Sequence, residues 1–183
     1  LLIIAGLAGS GKTTLANQLA AATIAAGQTA TICCADDFMV VDGRYEWSPK
    51  KLGWAHESCR KKARAACESK TDLVIIANTS LPAKDRRPYL ELAAEFGYEA
   101  EVRLVGDFSE EFARLCHARC IHAVPEATLL KMAAMESLPC LSMPVPALTA
   151  LRWWLVAPTG NRQTLPIRLL MVVQRSRLHA RGS

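Results

Sequence analysis

Gly6-Leu7-Ala8-Gly9-Ser10-Gly11-Lys12-Thr13 places three glycines ahead of a lysine and a hydroxyl residue, in the spacing G-x-x-x-x-G-K-T. Glycine backbones can turn successive N–H groups inward around an anion, and a helix starting at the end of the run adds a favourable dipole. Lys12 is spaced to reach the β- and γ-phosphates of a nucleotide, and the Thr13 hydroxyl to ligate Mg2+. With glycine at about 7% of residues, this pattern arises by chance at a given start only about a few times in 10⁵. It predicts a nucleoside triphosphate site in which Gly9, Ser10, Gly11, Lys12, Thr13 and Thr14 hold the phosphates.

A second chemical feature is Ala35-Asp36-Asp37-Phe38, directly after an apolar run. Phosphoryl transfer to a hydroxyl needs a carboxylate that orients the acceptor and takes its proton. Asp36 would lie at the carboxyl edge of a parallel sheet, where α/β proteins bind ligands. Cys116, His117, Cys120 and His122 lack a second distant pair and read as structural rather than as a zinc site. Cys33-Cys34 reads as core. Arg60, Lys61, Lys62 and Arg64 read first as a solvated face, and also as the one basic patch that could meet a polyanion.

The elements that must carry these residues alternate. Leu1–Ala5 reads as a buried strand and residues 13–26 as a helix with Leu15, Leu19 and Ala22 on one face, stopped by Gly27. Ala30–Cys34 is a second strand and Asp36–Trp47 a loop. Ser48-Pro49 opens a long helix to about residue 69, with Leu52, Ala55, Cys59, Ala63 and Cys67 in its stripe. Leu73–Ala77 is a third strand, residues 86–96 a helix closed by Gly97, and Ala100–Val105 a fourth strand. Ser109 caps one further helix, and Pro125-Glu126 starts another. Strands alternating with helices predict a parallel sheet covered on both faces.

The 183 residues suit one domain, and 51% apolar with 21% charged residues excludes disorder and collagen-like structure. The net charge of +5 is uneven. Residues 1–140 hold sixteen Lys/Arg against seventeen Asp/Glu, whereas residues 141–183 hold six arginines and no acid. The expected division is a nucleotide-binding domain over 1–140, with a lid near 114–125, and a basic C-terminal segment over 141–183. Trp153–Val156 and Leu169–Val173 could each add a strand there, and Trp153-Trp154 reads as packed rather than as a stacking platform. Seven cysteines without framework spacing, no signal peptide and no apolar stretch of 18 residues predict a reduced, cytoplasmic protein that does not engage membranes. A start on Leu1 without Met predicts residues ahead of it.

Beyond the glycine-rich loop, the sequence resembles the polynucleotide-kinase-like branch of the P-loop kinases from residue 1 to about 137. Asp36-Asp37-Phe38 is similar to that family's D-D-[YF], and Tyr45 with Ala55-His56 to its Y-x-[FY]…A-H segment. Asn78-Thr79 resembles its N-T turn, Pro88-Tyr89 with Gly97-Tyr98-Glu99 its P-Y…G-Y-x-V, and Arg119-Cys120-Ile121-His122-Ala123-Val124-Pro125 its lid block R-N-x-H-x-V-P. The resemblance implies a three-layer α/β/α P-loop NTPase fold with core strand order 2-3-1-4. It implies ATP- and Mg2+-dependent transfer of the γ-phosphoryl to a hydroxyl, such as the 5′-hydroxyl of a nucleic-acid end. Lys12, Asp36 and Arg119 would carry the chemistry. A guanidinium brought over the γ-phosphate would offset charge that develops during transfer; the resemblance implies that Arg119 fills this place, with Arg114 a weaker second and His122 ordering the turn. The chain departs from the pattern at Ala77, where many relatives have an acid for the Mg2+ shell, and at Cys120 and Ser80. Thr13, Asp36 and water would then hold the metal. A small-molecule kinase and a non-catalytic nucleotide switch, the latter favoured by Ala77, remain the alternatives.

Overall fold

The structure is a computed structural model that describes residues 1–122 and 124–135. Its centre is β1 (Leu2–Ala5), apolar throughout and buried on both faces, as an inner strand of a parallel sheet must be. Three other strands join it: β2 (Ala30–Cys33), β5 (Leu73–Ile76) and β6 (Glu101–Leu104). The sheet order is β2-β5-β1-β6, all pairs parallel, with Ile3 opposite Ile76 on one side and Val102 on the other. Counting only these four strands, this is the expected 2-3-1-4 order.

The helices cover both faces. α1 (Lys12–Ala25) packs Ala16 and Ala20 against Leu2, Ile4, Ile75 and Ala77, with Leu15 and Leu19 at the border. Ala22, expected on that stripe, is exposed, because the buried stripe runs through Ala16, Ala20 and Thr23, one position further along. On the opposite face α2 (Pro49–Glu68) and α3 (Ala83–Phe96) bury Ala55, Cys59, Ala63, Cys67, Tyr89 and Leu92 against Ile3, Val74 and Ile76. The expected α2 stripe therefore holds except at Leu52, which lies exposed in the first turn. Ser48 precedes α2 as expected, but its carbonyl, not its hydroxyl, receives the Lys51 N–H. A third apolar cluster joins Leu7 and Leu81 to α4 (Glu110–Arg119) and α5 (Glu126–Ala134) through Ala113, Cys116 and Leu129.

Two boundaries differ from expectation. Residues 36–47 are not a plain loop. Ala35–Met39 form a 3₁₀ turn, and β3 (Val40–Val41) pairs antiparallel with β4 (Arg44–Tyr45). Asp42 and Gly43 both have positive φ, 48° and 77°, which the tight turn of such a hairpin requires. α3 begins three residues before the expected position 86. The buried Arg86 donates to the carbonyls of Ser80, at 2.7 Å, and Leu81, and so ties the strand exit to the helix start. The expected segment 141–183, with its candidate strands at 153–156 and 169–173, lies outside the described residues.

Ile76 is fully buried between the layers. Ile76→Ala should lower unfolding stability by about 2–5 kcal/mol, measured by urea denaturation, while the far-UV CD spectrum keeps its native shape.

Candidate functional site

The carboxyl ends of the four parallel strands lie at one edge of the sheet, and the chemical residues of the sequence gather there. The glycine-rich loop leaves β1, with the Gly6 N–H bonded to the Thr79 carbonyl at 3.0 Å. Gly11, at φ 98°, leads into α1. Lys12 folds back over this loop: its ammonium donates to the Leu7 carbonyl at 2.7 Å, and the residue is buried. Burial pulls its pKa below the usual lysine value, an effect opposed by Cys34, Asp36, Cys116 and Cys120 nearby. The buried Ser10 hydroxyl has no partner, and Thr13 and Thr14 are exposed at the helix start. Buried polar groups without a carboxylate counter-ion, beside inward-turned backbone, suit a phosphate-bearing ligand.

Gly9 carries a further constraint. At φ 78°, it lies against the end of α4, and a Cβ built on it would fall 2.2 Å from the Cys116 carbonyl oxygen. The expected lid is thus docked directly on the loop. Arg119 is the last residue of α4 and is exposed. Arg114 instead faces outward, bonded to Glu110 at 3.2 Å and Glu126 at 3.3 Å, so it braces α4 on α5. His117 bonds the Val124 carbonyl through Nδ1 at 3.0 Å and tightens the lid turn. Among the described residues, no three His, Cys, Asp or Glu side chains come together in a group that could hold a metal ion.

Asp36 sits on the 3₁₀ turn after β2, half-buried. Its Oδ1 accepts a hydrogen bond from the Tyr45 hydroxyl at 3.1 Å, and His122 Nε2 lies 3.8 Å from its Oδ2. The Cys34 thiol reaches the same Oδ2 at 3.8 Å and the Ala77 carbonyl at 3.5 Å. Burial and the neighbouring Asp36 raise the Cys34 pKa to about 12, so it is a donor here and no nucleophile. Asp37 points outward to Lys62 at 3.2 Å. The oxygen-only donors Thr13 and Asp36 fit Mg2+ chemistry, since this ion is held by one or two protein oxygens together with phosphate and water. The Ala77 methyl, buried in the sheet edge, supplies no ligand.

One residue that motif reading left without a role is central. Asn78, buried at the end of β5, accepts the Ala35 N–H at 2.8 Å and donates to Tyr89 Oη at 3.3 Å and Cys59 Sγ at 3.5 Å. It pins the start of the Asp36 turn to both helices of that face. The basic stripe on α2 is largely neutralised: Arg60 pairs with Glu57, Lys62 with Asp37, and Arg64 forks onto Glu95 at 2.7 and 2.6 Å. No described helix is long and apolar enough to cross a membrane.

Residues 1–139 match the family model AAA_33, described as an AAA domain. Human NEDD4-binding protein 2 is 31% identical over 132 residues, 72% of this chain, and the chain spans only 7% of that relative's length. Among solved structures, the chain is similar to one from the Pnkp1/Rnl/Hen1 RNA repair complex, at 21% identity and TM-score 0.56, covering 72% of this chain and 42% of that one. It is also similar to the Mycobacterium tuberculosis APS kinase CysC in complex with AMPPNP and APS, at 18% identity and TM-score 0.50, covering 69% and 73%. These likenesses bear out the three-layer P-loop kinase fold.

Asn78→Ala removes the acceptor for a buried backbone N–H. It should cost about 1–3 kcal/mol in thermal or urea unfolding, and should loosen the Asp36 turn, read as faster amide exchange at Ala35 and Asp36.

Proposed function

Because the chain belongs to the AAA domain family and sets a carboxylate beside its glycine-rich loop, we propose that it is a phosphotransferase. It would move the γ-phosphoryl of ATP to a hydroxyl acceptor, the 5′-hydroxyl of a nucleic-acid end. The observation that carries this reading is the placement of Asp36: its charge acts on the buried Lys12 ammonium, and the lid residue His122 faces it.

ATP would bring the phosphoryl group, and Mg2+, held by Thr13 and Asp36 when bound, would supply charge to offset that on its oxygens. The chain's own residues do the rest. The loop from Gly9 to Gly11 presents N–H groups, Lys12 supplies the buried cation, and Thr13 and Thr14 offer hydroxyls at the helix N-terminus. Asp36 orients the acceptor hydroxyl and takes its proton as the new oxygen–phosphorus bond forms and ADP leaves. Arg119, at the end of α4, is the guanidinium that the lid can bring over the transferring group.

The acceptor side is open and aromatic. Trp54 is 57% exposed and meets Phe38, two residues from Asp36, edge-on at 6.1 Å; Trp47, two residues from Tyr45, is 59% exposed. Exposed rings on the elements that flank the Asp36 turn support stacking of an unpaired base. The ion pairs along the α2 stripe favour these rings over a basic groove as the acceptor's contact. A second reading, a nucleotide-binding switch without transfer, is favoured only by Ala77 in the place of a metal-ligating acid.

The test is γ-labelled ATP with Mg2+ and a 5′-hydroxyl oligonucleotide. Wild-type protein should label the oligonucleotide. Lys12→Ala should lower transfer about 10²–10³-fold, and Asp36→Asn about 10²–10⁴-fold with ATP affinity near wild type. Trp54→Ala should weaken oligonucleotide binding about tenfold or more. Label on a small alcohol alone would exclude the nucleic-acid acceptor, and ATP binding without transfer to any hydroxyl would leave the switch.

A further inference from the structure

An aspartate carboxylate rotates about a broad, two-fold torsion, so position alone does not decide which oxygen meets an acceptor. At Asp36 the two oxygens have different company. Oδ1 accepts from the Tyr45 hydroxyl at 3.1 Å; Oδ2 faces His122 Nε2 at 3.8 Å and the weak thiol donor of Cys34 at 3.8 Å. The two aromatic residues also hold each other: their ring centroids are 4.0 Å apart at 40°. They reach Asp36 from separate elements. Tyr45 comes from the β3–β4 hairpin, which is tied back to the 3₁₀ turn by the Glu46 N–H on the Met39 carbonyl at 2.8 Å. His122 comes from the turn after α4, three residues beyond Arg119.

Core packing does not account for this pair. Both side chains are half-buried, and a phenylalanine at 45 would pack its ring equally well without the hydroxyl. Nor does His122 serve as a local brace of the lid, because its Nδ1 is buried and has no partner, whereas His117 makes the bond that closes the lid turn. The pair sets the Tyr45 hydroxyl on Oδ1 and His122 Nε2 against Oδ2, and joins the hairpin to the lid turn at the carboxylate.

We infer that Tyr45 and His122 are positioning residues that fix the rotation of the Asp36 carboxylate from its two oxygens and couple it to docking of the lid turn. This rests on the phosphotransfer reading above. It extends that reading by making the lid set both ends of the reaction: Arg119 for the phosphoryl group and His122, through Tyr45, for the acceptor.

The experiment combines kinetics with a contact readout that needs no activity. In the wild-type NMR spectrum, the His122 ring C–H signals should be shifted upfield by the Tyr45 ring; the shift should persist in Tyr45→Phe and vanish in Tyr45→Leu. An unshifted His122 in wild type would overturn the clamp. In transfer assays, Tyr45→Phe should lower kcat about 10- to 100-fold, the worth of one hydrogen bond to a charged group, with KM for ATP unchanged. His122→Ala should do the same, and His122→Phe, which keeps the stack, should recover part of the loss. Unchanged kcat in Tyr45→Phe, alongside an inactive Asp36→Asn, would overturn the positioning role and leave the phosphotransfer reading standing. Equal loss of ATP affinity and kcat would make the pair structural and overturn the inference. Absence of any transfer by wild type, with the ring shift intact, would overturn the phosphotransfer reading and the positioning role together.

Discussion

The site depends on one buried amide. Asn78 stands where the third parallel strand leaves the sheet, and its side chain joins three elements: the Ala35 N–H at the start of the Asp36 turn, Cys59 on α2 and Tyr89 on α3. An amide is suited to this place because it both accepts and donates. An aspartate would accept from Ala35 but bring a buried charge and lose the two donor contacts, and a leucine would leave the backbone N–H unpaired. A single side chain therefore sets the spacing between the carboxylate and the sheet edge on which the glycine-rich loop also rests.

The loop is held by a different kind of compromise. Lys12 is buried with only the Leu7 carbonyl as partner, and burial lowers its pKa. A buried ammonium without a carboxylate of its own costs stability in the free protein. The nearby charge of Asp36 offsets part of that cost without forming a close pair, so both groups keep free valences toward a ligand. The same logic explains the unpartnered Ser10 hydroxyl. Function is stored here as incomplete satisfaction, while the apolar clusters on either face of the sheet supply the stability.

Much of this was legible from the residues. The glycine-rich run, the alternation of strands and helices and the place of Asp36 after β2 follow from local pattern, and the four-strand order followed from the family resemblance. What escaped was non-local or mis-weighted. The hairpin that carries Tyr45 had its signal in Asp42-Gly43 between two short β-prone pairs, but the polar composition of 36–47 argued for a loop. The acids that neutralise the α2 stripe include Glu95, 31 positions beyond Arg64, and no periodicity links them. Spacing places Leu52 in the core, yet it lies exposed in the first turn of α2, and Trp47 and Trp54, near it in sequence, are exposed too. The sequence predicts that His122 orders the lid turn; His117 makes the bond that closes it, and His122 faces the carboxylate.

The lid is docked mainly by apolar contact. The outward pairs of Arg114 with Glu110 and Glu126 are exposed and contribute little on their own. The weight falls on Leu7, Leu81, Ala113, Cys116 and Leu129, and on the close approach of the Cys116 carbonyl to Gly9. Gly9 thereby meets two demands at once. Its positive φ shapes the phosphate loop, and its missing Cβ admits the helix end. Because α4 continues from that contact to Arg119, and the chain then reaches His122 above Asp36, any shift of the helix against Gly9 is carried to both ends of the site. The placement of Arg119 and His122 is therefore tied to a packing contact that no charged residue makes.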